Sequence, residues 1–92
     1  MALLEDVFRI GQRKGPYKTT RIMRELIDRE SVTFDQLIEA AYPIDSDDEL
    51  PEDFKNVVFV LLNRVKARTL PGWRVVKLKA LKWSLQREEP SS

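Results

Sequence analysis

The chain has 92 residues, which is enough for one domain with one small hydrophobic core. It contains no cysteine and no histidine, which excludes disulfide bonds within the chain, thiol-ligated metals and catalysis by a histidine base. The formal net charge is only +1, so the total charge carries little information about partners. The distribution of charge along the chain carries more.

The first ten residues form an apolar segment interrupted by two acids. A helix here would place four apolar side chains on one face: Leu3, Leu4, Val7 and Phe8. The segment is also short enough to be a strand, so both alternatives stay open. The acids come too early for a signal peptide, and no apolar run is long enough to span a membrane. We therefore expect a soluble protein of the cytoplasm or the nucleoid.

Two helices are predicted after a basic Gly-Pro turn at residues 12–18. In TTRIMRELIDRES, Thr19 or Thr20 can cap a helix whose apolar positions have helical spacing. In TFDQLIEAAYP, Thr33 and Gln36 have the spacing of a capping box. The predicted buried face of this second helix consists of Phe34, Leu37, Ile38 and Ala41. Pro43 is expected to end it.

The charge changes sign abruptly near residue 54. Residues 31–54 contain eight acids and no base, whereas residues 55–87 contain nine bases and no acid. The segment IDSDDELP predicts a solvated acidic loop, because it lacks the glycine of a calcium-binding loop. Pro51 suits the first position of a third helix that runs to about Thr69. Its predicted core stripe is Phe54, Val58, Leu61, Leu62 and Val65.

The last third of the chain predicts a β-hairpin. WRVVKL and LKWSL are rich in β-formers and meet around Lys79 and Ala80. The order of elements predicts an α+β, mainly α, winged helix-turn-helix fold. This fold has a three-helix core and a C-terminal β-hairpin wing, preceded by a short extra helix or strand. A single domain is expected over residues 1–87, with its core at about 17–86 and a disordered tail at 88–92.

Three patterns within this order resemble one protein family. TFDQLIEAAY fits a second-helix pattern at Thr33, Leu37 and Tyr42. VFVLLNRVKAR fits a recognition-helix pattern at Val58, Leu62, Val65, Lys66 and Arg68. VVKLKALKWSL fits a wing pattern at Val75, Leu78, Lys79, Trp83 and Leu85. From about Tyr17 to Leu85, the chain thus resembles the C-terminal effector domain of OmpR/PhoB-type response regulators.

The resemblance implies a transcription regulator from a bacterium or phage that binds double-stranded DNA. Its third helix would enter the major groove, and its wing would lie on the neighbouring backbone. The chain departs from the family in three ways. Its N-terminal segment is too short for the family's small sheet, its wing turn lacks glycine, and it carries no receiver domain. We therefore expect a stand-alone effector domain, for which the resemblance does not imply signalling by phosphorylation.

Seven residues are the candidates for DNA contact: Asn56, Asn63, Arg64, Lys66, Lys77, Lys79 and Lys82. An asparagine amide can pair with both N6 and N7 of adenine, and lysine and arginine bind phosphate or guanine. The structural alternatives are ordinary exposed asparagines and lysines that protect an edge strand from unwanted pairing. No enzymatic activity and no cofactor are expected.

Phe59 and Val60 interrupt the polar face of the third helix. They can contact thymine methyl groups, or they can be covered by residues 1–10. They can also form a protein interface, to which Leu3 and Val7 would contribute. The alternative function is therefore a winged-helix protein–protein interaction module that binds a transcription or structural protein with little DNA affinity. The expected protein partners are a second copy of the chain or a protein of the transcription machinery. A further rival is binding of single-stranded nucleic acid with the two tryptophans as stacking platforms.

Overall fold

The computed structural model describes residues 4–9, 18–45 and 49–87. Within these ranges the chain is an α+β protein with four helices and a three-stranded antiparallel sheet. In chain order the elements are α1 (Leu4–Val7), α2 (Lys18–Asp28), β1 (Val32–Thr33), α3 (Phe34–Ala41), α4 (Phe54–Lys66), β2 (Trp73–Lys79) and β3 (Lys82–Arg87). The expected tail at 88–92 and residues 12–17 of the expected turn at 12–18 lie outside the described residues, whereas Lys18 is the first residue of α2. No helix among the described residues has the length and apolar character needed to cross a membrane.

The start of α3 confirms the predicted capping box. The Thr33 hydroxyl accepts a hydrogen bond from the Gln36 backbone N–H at 3.3 Å, and the Gln36 side chain accepts one from the Thr33 N–H at 2.9 Å. The helix ends at Ala41, two residues before Pro43. These features were predictable because all the groups involved are close in sequence.

The predicted cap of α2 is wrong, because Thr19 and Thr20 lie inside the helix. Lys18 is already helical, and its ammonium lies 4.5 Å from the centroid of the Tyr42 ring at the end of α3. Lys18 precedes both candidate cap residues, and it contacts a residue that lies 24 positions later in the sequence. This contact has no local signature in the sequence.

The observed α4 is shorter than predicted at both ends. It begins at Phe54, whose N–H donates to the Pro51 carbonyl at 3.1 Å, so Pro51 lies in the turn before the helix. It ends at Lys66, whose carbonyl accepts the Thr69 hydroxyl at 3.1 Å. Arg9 donates to the carbonyl of the next residue, Ala67, also at 3.1 Å. Side chains from outside the helix thereby satisfy carbonyls that a helix end leaves unpaired.

The sheet has the strand order β1-β3-β2, so the last strand in the chain lies in the middle. Strand β1 was not predicted, because two residues are too few to show an alternating pattern. Val32 pairs with Trp83 and Thr33 pairs with Lys82. This pairing joins the predicted hairpin to the connection between α2 and α3. The predicted hairpin is confirmed, with Ala80 and Leu81 in its turn.

The N-terminal segment combines the two conformations that the sequence left open. After the single turn of α1, Phe8 forms an antiparallel bridge with Thr69. The Val7 carbonyl accepts from the N–H of Leu70 at 2.8 Å. Val7 and Phe8 are buried in the core. The expectation that Val7 belongs to a protein interface is therefore wrong, since its own fold covers it, and Leu3 lies outside the described residues.

One hydrophobic core joins the helices to the sheet. Its fully buried large side chains are Val7, Phe8, Ile22, Met23, Leu26, Val32, Leu37, Val58, Leu62 and Val65. The predicted core stripe of α4 is confirmed at four positions, and Phe54 is half-buried. Trp83 is 2 % exposed and belongs to this core, while Trp73 packs against its edge. Because Trp83 is a buried anchor of the core, it is not a free platform for single-stranded bases.

Candidate nucleic-acid interface

The face of α4 opposite the core is polar at both ends and apolar in the middle. A helix advances about 100° per residue, so Asn56 and Asn63 lie on one line, directly away from the buried stripe. Both are exposed, as are Arg64 and Lys66 toward the end of the helix. The four candidate contact residues on α4 thus share one solvent-facing surface. Phe59 and Val60 lie between the two asparagines.

Phe59 is held by two aromatic side chains from other elements. Its ring stacks on that of Phe34 with centroids 4.7 Å apart, and the Trp83 ring meets it edge-on at 6.2 Å. Phe59 nevertheless remains 38 % exposed, and Val60 is 49 % exposed. The alternative that residues 1–10 cover this pair is wrong for the described part of that segment, because it pairs with residues 68–70 beyond the end of α4.

The same aromatic cluster places the hairpin beside α4. Residues opposite each other in an antiparallel pair project from the same face of the sheet. Lys77 lies opposite Trp83, so the two share a face, and Trp83 contacts Phe59 on α4. Lys77 is exposed on the outer strand β2. It therefore projects from the side of the sheet that faces α4.

The tip of the hairpin brings two lysines together. Lys79 lies opposite Lys82, next to a bulge between Lys77 and Lys79. Lys79 is exposed and Lys82 is half-buried. Like charges directly opposite each other are destabilising, and an anion between them would remove that cost. The tip is short, because only Ala80 and Leu81 lie between the paired lysines. The Leu81 carbonyl also accepts the Phe34 N–H at 2.9 Å, which fastens the turn to the start of α3.

The basic groups of residues 55–87 have no acidic partners in the part of the chain that the structure describes. Eight of the nine are exposed, and Lys82 is half-buried. Arg87 lies over the Trp73 ring at 5.6 Å, which leaves its charge uncompensated. By contrast, Arg29, just after the end of α2, is paired with Glu25 in the last turn of that helix. The surface of α4 and the hairpin is thus positive and open to an anionic ligand.

Four of the nine bases in residues 55–87 were not among the seven candidates. Lys55, Arg68, Arg74 and Arg87 are all exposed. The absence of acids from residues 55–87 was the sequence signal for these residues. They were missed because the candidates were chosen by helical spacing and by the family resemblance. The affinity of a surface for the DNA phosphate backbone depends on how many positive charges it contributes.

Comparisons with protein-family models, with curated proteins and with solved structures gave no match to this chain.

Proposed function

We propose that this chain is a winged-helix protein that binds double-stranded DNA and regulates transcription in the cytoplasm or the nucleoid. One observation carries the proposal. The Trp83 ring of the hairpin meets the Phe59 ring edge-on and so brings β3 close to α4, and both the hairpin and α4 expose basic side chains without acidic partners in the described residues. The sheet order is compatible with a winged helix, in which a third helix and a wing approach one duplex together.

The proposed roles divide between the two elements. Asn56 and Asn63 are on the most outward line of α4, where an amide can reach adenine in the major groove. Arg64 and Lys66 lie toward the end of that helix, and Lys77 and Lys79 extend the positive surface along the hairpin. Phosphate contacts by the basic side chains set the register on the duplex, and base contacts by the asparagines would supply sequence preference.

The length of the hairpin limits the role of the wing. Its turn is hydrogen-bonded to the first residue of α3, so it cannot reach far along the duplex. We therefore assign most of the binding free energy to α4 and to phosphate contacts near the hairpin tip. A single domain of this size has a small footprint, and its affinity should depend strongly on salt.

The test is fluorescence anisotropy of a labelled mixed-sequence duplex, titrated with the protein over a series of salt concentrations. On a log–log plot, affinity is expected to fall with a slope of about −0.9 per phosphate contact. Changing Lys77, Lys79 and Lys82 together to alanine should flatten the slope. Absence of binding at low salt would reject the proposal, and an unchanged slope in the triple variant would remove the hairpin from the interface.

A protein-interaction module is the second candidate function, and one observation favours it. Phe59 and Val60 stay 38 % and 49 % exposed although their helix has a well-formed core face. Leu81, in the turn beside Phe34, is 50 % exposed. Apolar side chains grouped on a surface often mark a protein contact. A module of this kind would show little DNA affinity in the anisotropy titration.

A further inference from the structure

The exposed face of α4 is arranged symmetrically about its middle. Phe59 and Val60 are adjacent near the centre of the helix, which spans Phe54–Lys66. Asn56 lies three residues before Phe59, and Asn63 lies three residues after Val60. All four side chains are exposed. A two-fold interface requires one surface that is complementary to itself, and this face meets that requirement.

The charges at the two ends of α4 favour one direction of pairing. Glu52 and Asp53 are exposed just before the first turn, whereas Arg64, Lys66 and Arg68 are exposed at or after the last turn. The exposed Lys55 only partly offsets the acids. An antiparallel pair of α4 helices would bring the acidic end of each copy to the basic end of the other. The helix dipoles would also be favourably opposed. A parallel pair would place like ends together.

We propose that two copies of this chain associate through α4, packed antiparallel about a two-fold axis that passes between Phe59 and Val60. The apolar surfaces of these two residues meet their own counterparts in the second copy. Asn56 of each copy faces Asn63 of the other, where the two side-chain amides can donate to and accept from each other. Leu81 extends the apolar surface, since its turn is hydrogen-bonded to Phe34, which stacks on Phe59.

This interface uses the surface assigned above to DNA. Self-association and DNA binding would therefore exclude each other, a consequence that rests on the proposed function. The association itself does not depend on it. The two apolar side chains are small in area, so the dimer should be weak and should form only at high protein concentration.

The chain has no cysteine, which allows a sharp test by cross-linking. Asn56→Cys and Asn63→Cys are made as separate variants, one carrying a size tag, and are oxidised alone and as an equal mixture. The mixture should give the mixed dimer. Each variant alone should stay largely monomeric, because two copies of residue 56 would lie about 10 Å apart along the helix direction. That separation is beyond the reach of a disulfide. Val60→Cys, next to the axis, should cross-link with itself.

Two results would overturn the inference. One is that Asn56→Cys alone cross-links as readily as the mixture, which indicates parallel or non-specific contact. The other is a monomeric mass for the unmodified protein in sedimentation equilibrium at the concentration used for cross-linking. Val60→Lys, outside the aromatic cluster, should abolish any dimer while circular dichroism stays unchanged. Arg24→Ala on α2 is the matched control and should leave the dimer intact.

The outcome can be separated from that of the proposed function, because all these measurements are made without DNA. A dimer in a protein that fails to bind any duplex would reject the DNA-binding proposal and keep this one. A strictly monomeric protein that binds duplex DNA would reject the dimer and keep the DNA-binding proposal.

Discussion

The ring of Phe59 lies on the ring of Phe34, with centroids 4.7 Å apart and planes inclined by 26°. Phe34 is the first residue of α3, and its N–H donates to the carbonyl of Leu81 in the hairpin turn. The stack therefore connects the middle of α4, the start of α3 and the hairpin. Phe59 fixes the helix relative to the hairpin while keeping part of its ring in solvent.

Changing Phe59 to alanine should lower the free energy of unfolding by about 2 kcal/mol. A fully buried phenylalanine loses roughly 3–5 kcal/mol in this change, and the partial exposure of Phe59 reduces the loss. Urea denaturation followed by circular dichroism measures it. Val60→Ala is the matched control, since Val60 adjoins Phe59 but takes no part in the ring stack, and it should cost less than about 1 kcal/mol. Equal losses would show that the stack contributes nothing particular.

Replacing Leu81 by glycine should stabilise the fold. Leu81 has φ 61°, and it is the non-glycine residue with positive φ among the described residues. That conformation costs an L-residue about 1 kcal/mol, and glycine adopts it without strain. We expect the free energy of unfolding to rise by about 0.5–1 kcal/mol. Thermal unfolding of both proteins is the measurement.

Ala80→Gly provides the control for this turn. Ala80 is the neighbouring turn residue and lacks a positive φ, so glycine there only increases the freedom of the unfolded chain. It should lower the melting temperature. If both glycine variants were equally destabilising, the backbone conformation at Leu81 would not be a source of strain.

Thr33→Ala should destabilise the protein by about 1 kcal/mol, because it removes the hydroxyl that caps α3. Thr33→Ser keeps that hydroxyl and should stay close to the wild type in chemical denaturation. A serine variant as unstable as the alanine variant would point to the lost methyl group, and so to the pairing of Thr33 with Lys82 in the sheet.

Arg64→Ala should weaken binding to any duplex. The fall of log affinity with log salt should become shallower by the amount that corresponds to about one phosphate contact. The comparison is Arg24→Ala, because Arg24 is also an exposed helical arginine. It lines a groove between α2 and the end of α3 with Pro43 and Ile44, on another part of the surface. The anisotropy salt series should separate the two variants. Equal salt slopes for the two variants would mean that DNA affinity depends only on the net charge of the protein and that α4 is not a defined binding face.

The sequence by itself determined the features that depend on near neighbours. The capping box of Thr33 and Gln36, the buried stripe from Val58 to Val65 and the hairpin followed from short-range spacing. The accumulation of bases in residues 55–87 was also visible in the sequence. These features need only the periodicity of a helix or strand and the hydrogen bonds of one turn.

Only the tertiary structure decided which distant residues meet. Val32 and Thr33 form a strand because β3 lies beside them, and two residues carry no pattern of their own. The sequence left Phe59 open between DNA contact, a protein interface and cover by residues 1–10, whereas the structure packs it against Phe34 and Trp83. Val7 looked available to a partner, but pairing with residues 68–70 buries it in its own core. Contacts between distant segments depend on how the whole chain packs, and local propensity does not encode that packing.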